Sequence, residues 1–280
     1  MKRKTIPMAI AYDFDGTLAP GNMQEYDFVP ALGMTSKEFW NEASELESSH
    51  KADRILAYMR LMIQKAGAKG VPIRKDDFAR YGSSIELFEG VESWFSRMNK
   101  YALAKNVDLK HYIISSGIRE MIEGTPIAKE FHSIFASSFI YDHHGVAVWP
   151  ALAINYTTKT QYLFRINKGS LDVCDHTQIN KYIPDNERPL PFENMIFIGD
   201  GETDIPSFRL VKEQRGHAIA VYKPRATKAK EQTQELVTQG RVNFVAPACY
   251  TPGSDIDVMV RAIIDKVVAD NTLEQLKPEF

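Results

Sequence analysis

Five short apolar runs punctuate the 280-residue chain, at residues 8–12, 111–114, 195–198, 218–222 and 242–245. They are rich in Ile, Val, Phe or Tyr and do not alternate cleanly with polar residues. That is the pattern of strands covered on both faces in a parallel sheet. Helix-length periodicities fill several of the gaps. The combination predicts an α/β fold with a doubly wound, Rossmann-like parallel sheet, whose ligands bind beyond the carboxyl ends of the strands. Three of the runs end in polar residues at that edge: Asp13, Ser115 and Asp200.

The interval after the first run does not read as part of the sheet. Thr35 and Glu38 form a capping-box pattern ahead of Phe39, Trp40, Ala43 and Leu46 at helical spacing. Ile55, Leu56, Met59, Met62 and Ile63 repeat the pattern, and third and fourth helices are predicted near 76–87 and 89–104. Residues 1–18 and 89–280 are therefore expected to form the sheet domain, and 19–88 an inserted helical domain over the sheet edge. Further on, residues 139–149 have hairpin character with turn residues at 142–145, and 182–192 is a Pro-rich surface loop. A docking helix capped by Ser254 or Asp255 carries Ile256, Val260, Ile263, Ile264 and Val267.

Composition narrows the partners. Lys+Arg 34 against Asp+Glu 36 gives a net charge of −2, which argues against a general nucleic-acid coat protein, because phosphate binding relies on clustered Lys and Arg. Cys174 and Cys249 lie far apart without metal-ligand spacing and fit a reducing compartment. The basic start at residues 1–4 resembles a signal n-region, but the apolar stretch behind it is short and meets Asp13 and Asp15. No apolar run approaches the ~18–20 residues of a spanning helix. A cytoplasmic protein with no membrane partner is expected.

The chemistry is concentrated at the strand ends. In Asp13-Phe14-Asp15-Gly16-Thr17-Leu18 an extended backbone aims the carboxylates at i and i+2 to one side. Such a pair needs compensation, and Mg²⁺ takes one or two carboxylates together with substrate phosphate oxygens. Gly16 permits a tight turn, and Thr17 offers a hydroxyl and a backbone donor. A second acidic strand end, Gly199-Asp200-Gly201-Glu202-Thr203-Asp204, makes a mere solvated Asp-Gly turn a poor account of the first. Ser115-Ser116-Gly117 adds a hydroxyl and turn amides suited to phosphate oxygens.

With these motifs in this order, the chain resembles the haloacid dehalogenase-like hydrolase superfamily, and the position of its insertion is most similar to the phosphoserine-phosphatase-like branch with a helical cap of the first type. The resemblance implies that Asp13 is a nucleophile that becomes an aspartyl phosphate and that Asp15 is the acid/base. It implies that Asp13, the main-chain carbonyl of Asp15 and Asp200 hold Mg²⁺, with Asp204 beside them or one layer behind. Ser115 would bind the transferring phosphoryl group, with Ser116, Gly117 and Thr17 nearby. The family lysine has two candidates, Lys159 at a helix start and Lys168 before Gly169; Lys159 is preferred, because Lys168 reads as a helix C-terminal residue.

Asp15 favours phosphatase chemistry, since the superfamily's dehalogenases lack a carboxylate there and its ion-pumping ATPases carry Thr. The expected substrate is a small phosphorylated metabolite. Phosphotransfer to another acceptor, or a catalytically silent phosphate-binding protein, are the alternatives; a receiver-type signalling domain is far more compact than the span from Asp13 to Asp204. Arg54, Arg60 and Lys51 read as a solvated helix face, Phe39, Trp40, Met59 and Met62 as insert core, and His143-His144 as a turn pair whose rings diverge.

Overall fold

The computed structural model describes residues 5–276; the basic residues 1–4 lie outside that range. Seven strands form one sheet in the order β4-β3-β2-β1-β5-β6-β7. They are β1 (Ile6–Tyr12), β2 (Val107–Ile118), β3 (Ser133–Tyr141), β4 (Ala147–Leu152), β5 (Met195–Gly199), β6 (His217–Tyr222) and β7 (Phe244–Pro247). All neighbours are parallel except β3 and β4. Two apolar clusters cover the faces. Met8, Ile10, Tyr12, Ile196, Ile198, Ile219 and Val221 belong to one, while Ala9, Ala11, Met195, Phe197, Ala218 and Ala220 belong to the other. Successive residues of each central strand thus enter opposite cores, which is why these runs show no polar alternation.

The helices are α1 (Phe28–Ala31), α2 (Ser36–His50), α3 (Arg54–Lys69), α4 (Lys75–Gly82), α5 (Val91–Leu103), α6 (Arg119–Glu123), α7 (Thr158–Lys168), α8 (His176–Asn180), α9 (Ile205–Glu213), α10 (Thr227–Thr238) and α11 (Asp255–Gln275). α7, α9 and α10 supply Tyr162, Leu163, Phe208, Val211 and Leu236 to one face. α5, α11 and the insert between β1 and β2 cover the other. Thr35 caps α2 through a reciprocal box with Glu38, and Ser254 caps α11. Asp53 caps α3 by accepting from the N–H groups of Ile55 and Leu56 at 2.9 and 3.0 Å. None of the described helices is long and apolar enough to cross a membrane.

Three elements differ from the sequence expectation. The strand β3 falls outside the apolar runs because Ser137 and Ser138 fill its buried positions; Ser137 Oγ accepts from the Ile154 N–H at 3.0 Å. The last strand starts two residues later than its apolar run, since Val242 packs under α10. α4 stops at Gly82, where the Ser83 and Ser84 hydroxyls take the Arg80 and Tyr81 carbonyls.

α4 meets Phe28 of α1 through Phe78 and Tyr81 and is also bound to the sheet side. A Cβ on Gly82 would come within 1.9 Å of the Met121 carbonyl, and one on Gly124 within 1.9 Å of the Ala79 carbonyl, so α4 and α6 cross backbone to backbone. Phe78 stacks on Phe139 with ring centroids 5.2 Å apart. The Ala147 N–H donates to the Ile73 carbonyl at 3.0 Å.

Under β1 runs a buried polar chain. Trp94 Nε1 donates to Tyr12 Oη (2.8 Å), Tyr12 Oη meets His111 Nδ1 (3.0 Å), and His111 Nε2 meets Asn99 Oδ1 (3.1 Å). With Trp94 donating, the Tyr12 proton goes to Nδ1, and Nε2–H donates to Asn99. Burial pushes the His111 imidazole down to about 3. The unfolded chain binds that proton below pH ~6.5 and the folded one does not, so stability falls as pH drops through this window. His111 alone is expected to remove about 2 kcal/mol of unfolding free energy between pH 7 and pH 5. Urea unfolding of the native protein and of His111→Gln at both pH values measures it; equal pH slopes in the two proteins would refute the assignment.

Candidate active site

Asp13 leaves the end of β1 with its N–H bonded to the Ile198 carbonyl of β5 at 2.9 Å. Its Oδ1 accepts from the Phe14 N–H (2.7 Å), and its Oδ2 lies 2.9 Å from Lys159 Nζ. The chain then wraps tightly, with the Phe14 carbonyl accepting from Thr17, Leu18 and Ala19. Gly16 makes this possible at φ 73°, and a Cβ there would fall 2.0 Å from Asp200 Oδ2. The turn brings the second acidic strand end against the first.

Lys159 joins them. It is 1% exposed, and its Nζ is 2.7 Å from Asp204 Oδ1 as well as 2.9 Å from Asp13. Burial pulls the ammonium down, but the charges of Asp13 and Asp204 outweigh it and hold the group above its usual range. Burial raises Asp204 to about 6 against the opposing pull of Lys159. Asp204 Oδ2 also accepts from the Asp200 N–H at 3.1 Å. Asp200 is pushed well above the usual carboxylate range by burial, then by Asp204 and Asp13. Oxygens of Asp13, Asp200 and Asp204 lie within 4.8 Å of one another, a hard oxygen donor set suited to a divalent cation.

Asp15 is held from the opening turn of the insert. Its Oδ1 accepts from the Met23 N–H at 2.9 Å, within a 3-10 turn at Met23–Glu25. Desolvation, then the Asp13 charge, push it well above the usual range, against the Met23 N–H. Opposite, a bulge at the end of β2 carries Ser115, whose buried Oγ accepts from the Gly117 N–H at 3.0 Å. A Cβ on Gly117 would stand 2.1 Å from Met23 Cε and 3.1 Å from Asp15 Oδ2, so a side chain there would have to displace the Met23 methyl group that lies over the end of β2. The Ser116 carbonyl accepts from Tyr58 Oη of α3 at 2.6 Å.

These groups face one pocket of about 920 Å³, lined by Asp13, Asp15, Ser115, Ser116, Gly117 and Asp200. Gln24, Trp40, Arg54 and Tyr58 close it from the insert, and Asn155 and Lys223 from the sheet side. One expectation is corrected and another extended. Thr17 is fully buried behind the pocket wall, because the wrap spends its N–H on Phe14, and its carbonyl accepts from Tyr250 Oη (2.9 Å). Trp40 packs against the insert core as expected and also reaches the wall, where its Nε1 donates to Glu25 at 2.6 Å.

Lys168 lies elsewhere, at the end of α7, donating to the carbonyls of Ile179 and Lys181. The turn brings the His143 and His144 rings together at 3.8 Å instead of letting them diverge. Gln24, Tyr58 and Asn155 carry no sequence signal; nothing in their spacing separates them from ordinary turn and helix residues.

A profile of the haloacid dehalogenase-like hydrolases matches residues 10–209. The chain belongs to this family. An uncharacterized protein of Borreliella burgdorferi is 30% identical over 276 residues, covering 89% of this chain and 93% of its own. Among solved structures, a substrate-bound phosphoserine phosphatase superimposes with a TM-score of 0.56 at 15% identity, over 94% of this chain and 99% of its own. A haloacid dehalogenase family hydrolase of Salmonella enterica serovar Typhi gives 0.58 at 18% identity, over 93% and 73%. At these identities the two structures speak for the fold.

Removing Lys159 would leave two buried carboxylates facing each other. Lys159→Met is expected to lose about 3–5 kcal/mol of unfolding free energy in metal-free buffer. Lys168→Met, which only loses bonds to two backbone carbonyls, should lose about 1 kcal/mol. Urea denaturation of the two variants side by side provides the comparison.

Proposed function

We propose that the protein is a Mg²⁺-dependent phosphatase that hydrolyses a small phosphate monoester through an aspartyl-phosphate intermediate. The observation that carries this reading is the division of labour between two aspartates two residues apart. Asp13 is held against a buried lysine, while Asp15 is raised by burial and held by the Met23 N–H. One is kept available as a nucleophile and the other is disposed to hold a proton.

In the first step Asp13 attacks phosphorus, the phosphorus–ester oxygen bond breaks, and Asp15 gives its proton to the departing oxygen. In the second, Asp15 takes a proton from water, the water oxygen attacks phosphorus, and the bond to Asp13 breaks to release phosphate. Lys159 offsets the negative charge that accumulates between Asp13 and the phosphoryl group. Ser115 and the turn through Ser116 and Gly117 bind the phosphoryl oxygens.

Asp13, the main-chain carbonyl of Asp15 and Asp200 would hold Mg²⁺, whose charge lets an anionic carboxylate approach an anionic phosphate. Asp204, whose oxygens meet Lys159 and the Asp200 N–H, fixes that lysine and the Asp200 backbone beside the cation. Residues 19–88 act as the cap in this reading. Within them, α2 and α3 overhang the pocket, whereas α4 is fastened to the sheet side.

Purified protein is expected to release phosphate from an aryl phosphate with Mg²⁺, to lose that activity in EDTA and to regain it on adding Mg²⁺. Asp13→Asn should fall to background, and Asp15→Asn should lose about 10²–10⁴ in kcat. Full turnover by Asp13→Asn would remove it as nucleophile. A large loss in Lys168→Ala with none in Lys159→Ala would reassign the lysine.

A further inference from the structure

The insert meets the sheet domain through a side-chain bond that the chemistry above does not use. Asp53 caps α3, and its two oxygens have different tasks. Oδ1 accepts from the Ile55 and Leu56 N–H groups of the helix, while Oδ2 accepts from Asn155 Nδ2, 102 residues further along the chain. An amide facing a carboxylate presents its NH2, and hydrogen bonds to a carboxylate are roughly twice as strong as neutral ones.

The two ends of this bond differ in firmness. Asn155 belongs to the turn that starts α7: its carbonyl accepts from the Lys159 N–H at 3.0 Å and from Thr158 Oγ1 at 2.9 Å, and its own N–H donates to Thr158 Oγ1 at 2.7 Å. α7 is fixed in turn by Tyr162, Leu163 and Ile166, which pack in the core of the sheet domain. The insert end is held less well by apolar contact. A groove of about 570 Å³ opens between α2, α3 and β4, lined by Leu56, Ala57, Arg60, Val148 and Trp149, and Leu56 and Trp149 stay exposed. With packing incomplete there, polar contacts carry more of the placement of the start of α3.

That start is also pocket wall. Arg54 and Ile55 line the pocket directly after Asp53, and Asn155 and Tyr156 line it at the other end of the bond. Tyr58, one turn beyond Arg54, donates to the Ser116 carbonyl. We propose that Asp53 is a positioning residue: through Asn155 it straps the pocket-facing start of α3 to the turn that bears Lys159. The insert's wall and the lysine beside the nucleophile then keep one spacing. The effect on turnover rests on the phosphatase reading; the strap itself does not.

Asp53→Ser separates strap from cap, because serine caps a helix about as well as aspartate but is too short to reach Asn155. Asp53→Asn keeps the cap, and the Asn155 amide can turn its oxygen toward the new NH2 to remake the strap. On an aryl phosphate with Mg²⁺, Asp53→Ser and Asn155→Ala are each expected to lose about ten- to hundredfold in kcat/KM. The double variant should lose no more than the worse single, and Asp53→Asn should stay within about threefold of native. Losses that multiply in the double variant, native turnover in Asp53→Ser, or an Asp53→Asn as impaired as Asp53→Ser would each overturn the proposal.

Amide hydrogen exchange reads the strap without turnover. Asn155→Ala leaves every bond within α3 in place, yet exchange over residues 55–62 should quicken by about tenfold, with α5 and α11 unchanged. Unchanged exchange in α3 would refute the strap. Asp53→Ser, which keeps the cap, gives the same reading should Asn155→Ala not fold. Failure of the phosphatase reading looks different: the native protein would then hydrolyse no aryl phosphate, while the exchange measurement still decides whether the strap holds α3.

Discussion

The site depends on one buried ammonium. Three carboxylates at the ends of β1 and β5 lie close together, two of them raised by burial and mutual repulsion. Their proximity would work against the fold if nothing offset it, since charge taken out of water is expensive unless paired. Lys159 offsets it by reaching Asp13 and Asp204 at once from the first turn of α7. Asp204 in turn accepts from the Asp200 backbone, so a single cation orders both acidic strand ends.

This arrangement needs the sheet topology behind it. β1 and β5 are adjacent and in parallel register, with Tyr12 opposite Ile198, so Asp13 and Asp200 emerge at the same edge although far apart in sequence. β2 flanks β1 on the other side and carries Ser115 to that edge. The helix bearing Lys159 packs against one face through Tyr162, Leu163 and Ile166, which sets its first turn over the strand ends. Apolar packing therefore determines where the charges meet, and the charges determine what can bind there.

Much of this was legible in the sequence, for physical reasons that also mark the limit. Strands buried on both faces must be apolar, so β1, β2, β5 and β6 stood out as runs, and their acidic or hydroxyl ends followed directly. β3 did not, because small buried serines do the work of apolar residues there. Helix starts with a capping box, as at Thr35, were readable; the end of α4 was not, since it depends on Gly82 meeting the backbone of α6. Thr17 shows the same limit at the site: its type fits phosphate binding, but the hydrogen bonds of the wrap turn it inward. Which residue faces a pocket is decided by packing between distant segments, and local pattern carries no record of it.

The pocket wall supplied by the insert illustrates why that record matters. Met23 and Glu25 belong to a single short turn, yet each is tied to a different part of the site: Met23 to Asp15 and the β2 bulge, and Glu25 to Asn22 and Trp40. A change anywhere in the turn would therefore move Asp15 and this part of the wall together. Tyr58 forms a separate link, from α3 to the Ser116 carbonyl at the end of β2. The insert thus touches the pocket through different elements: its opening turn beside Asp15 and its second long helix beside the Ser115–Gly117 turn. Substitutions in α3 can alter the β2 side while leaving the Asp15 turn in place, so the two sides of the pocket are mechanically separable within one insert.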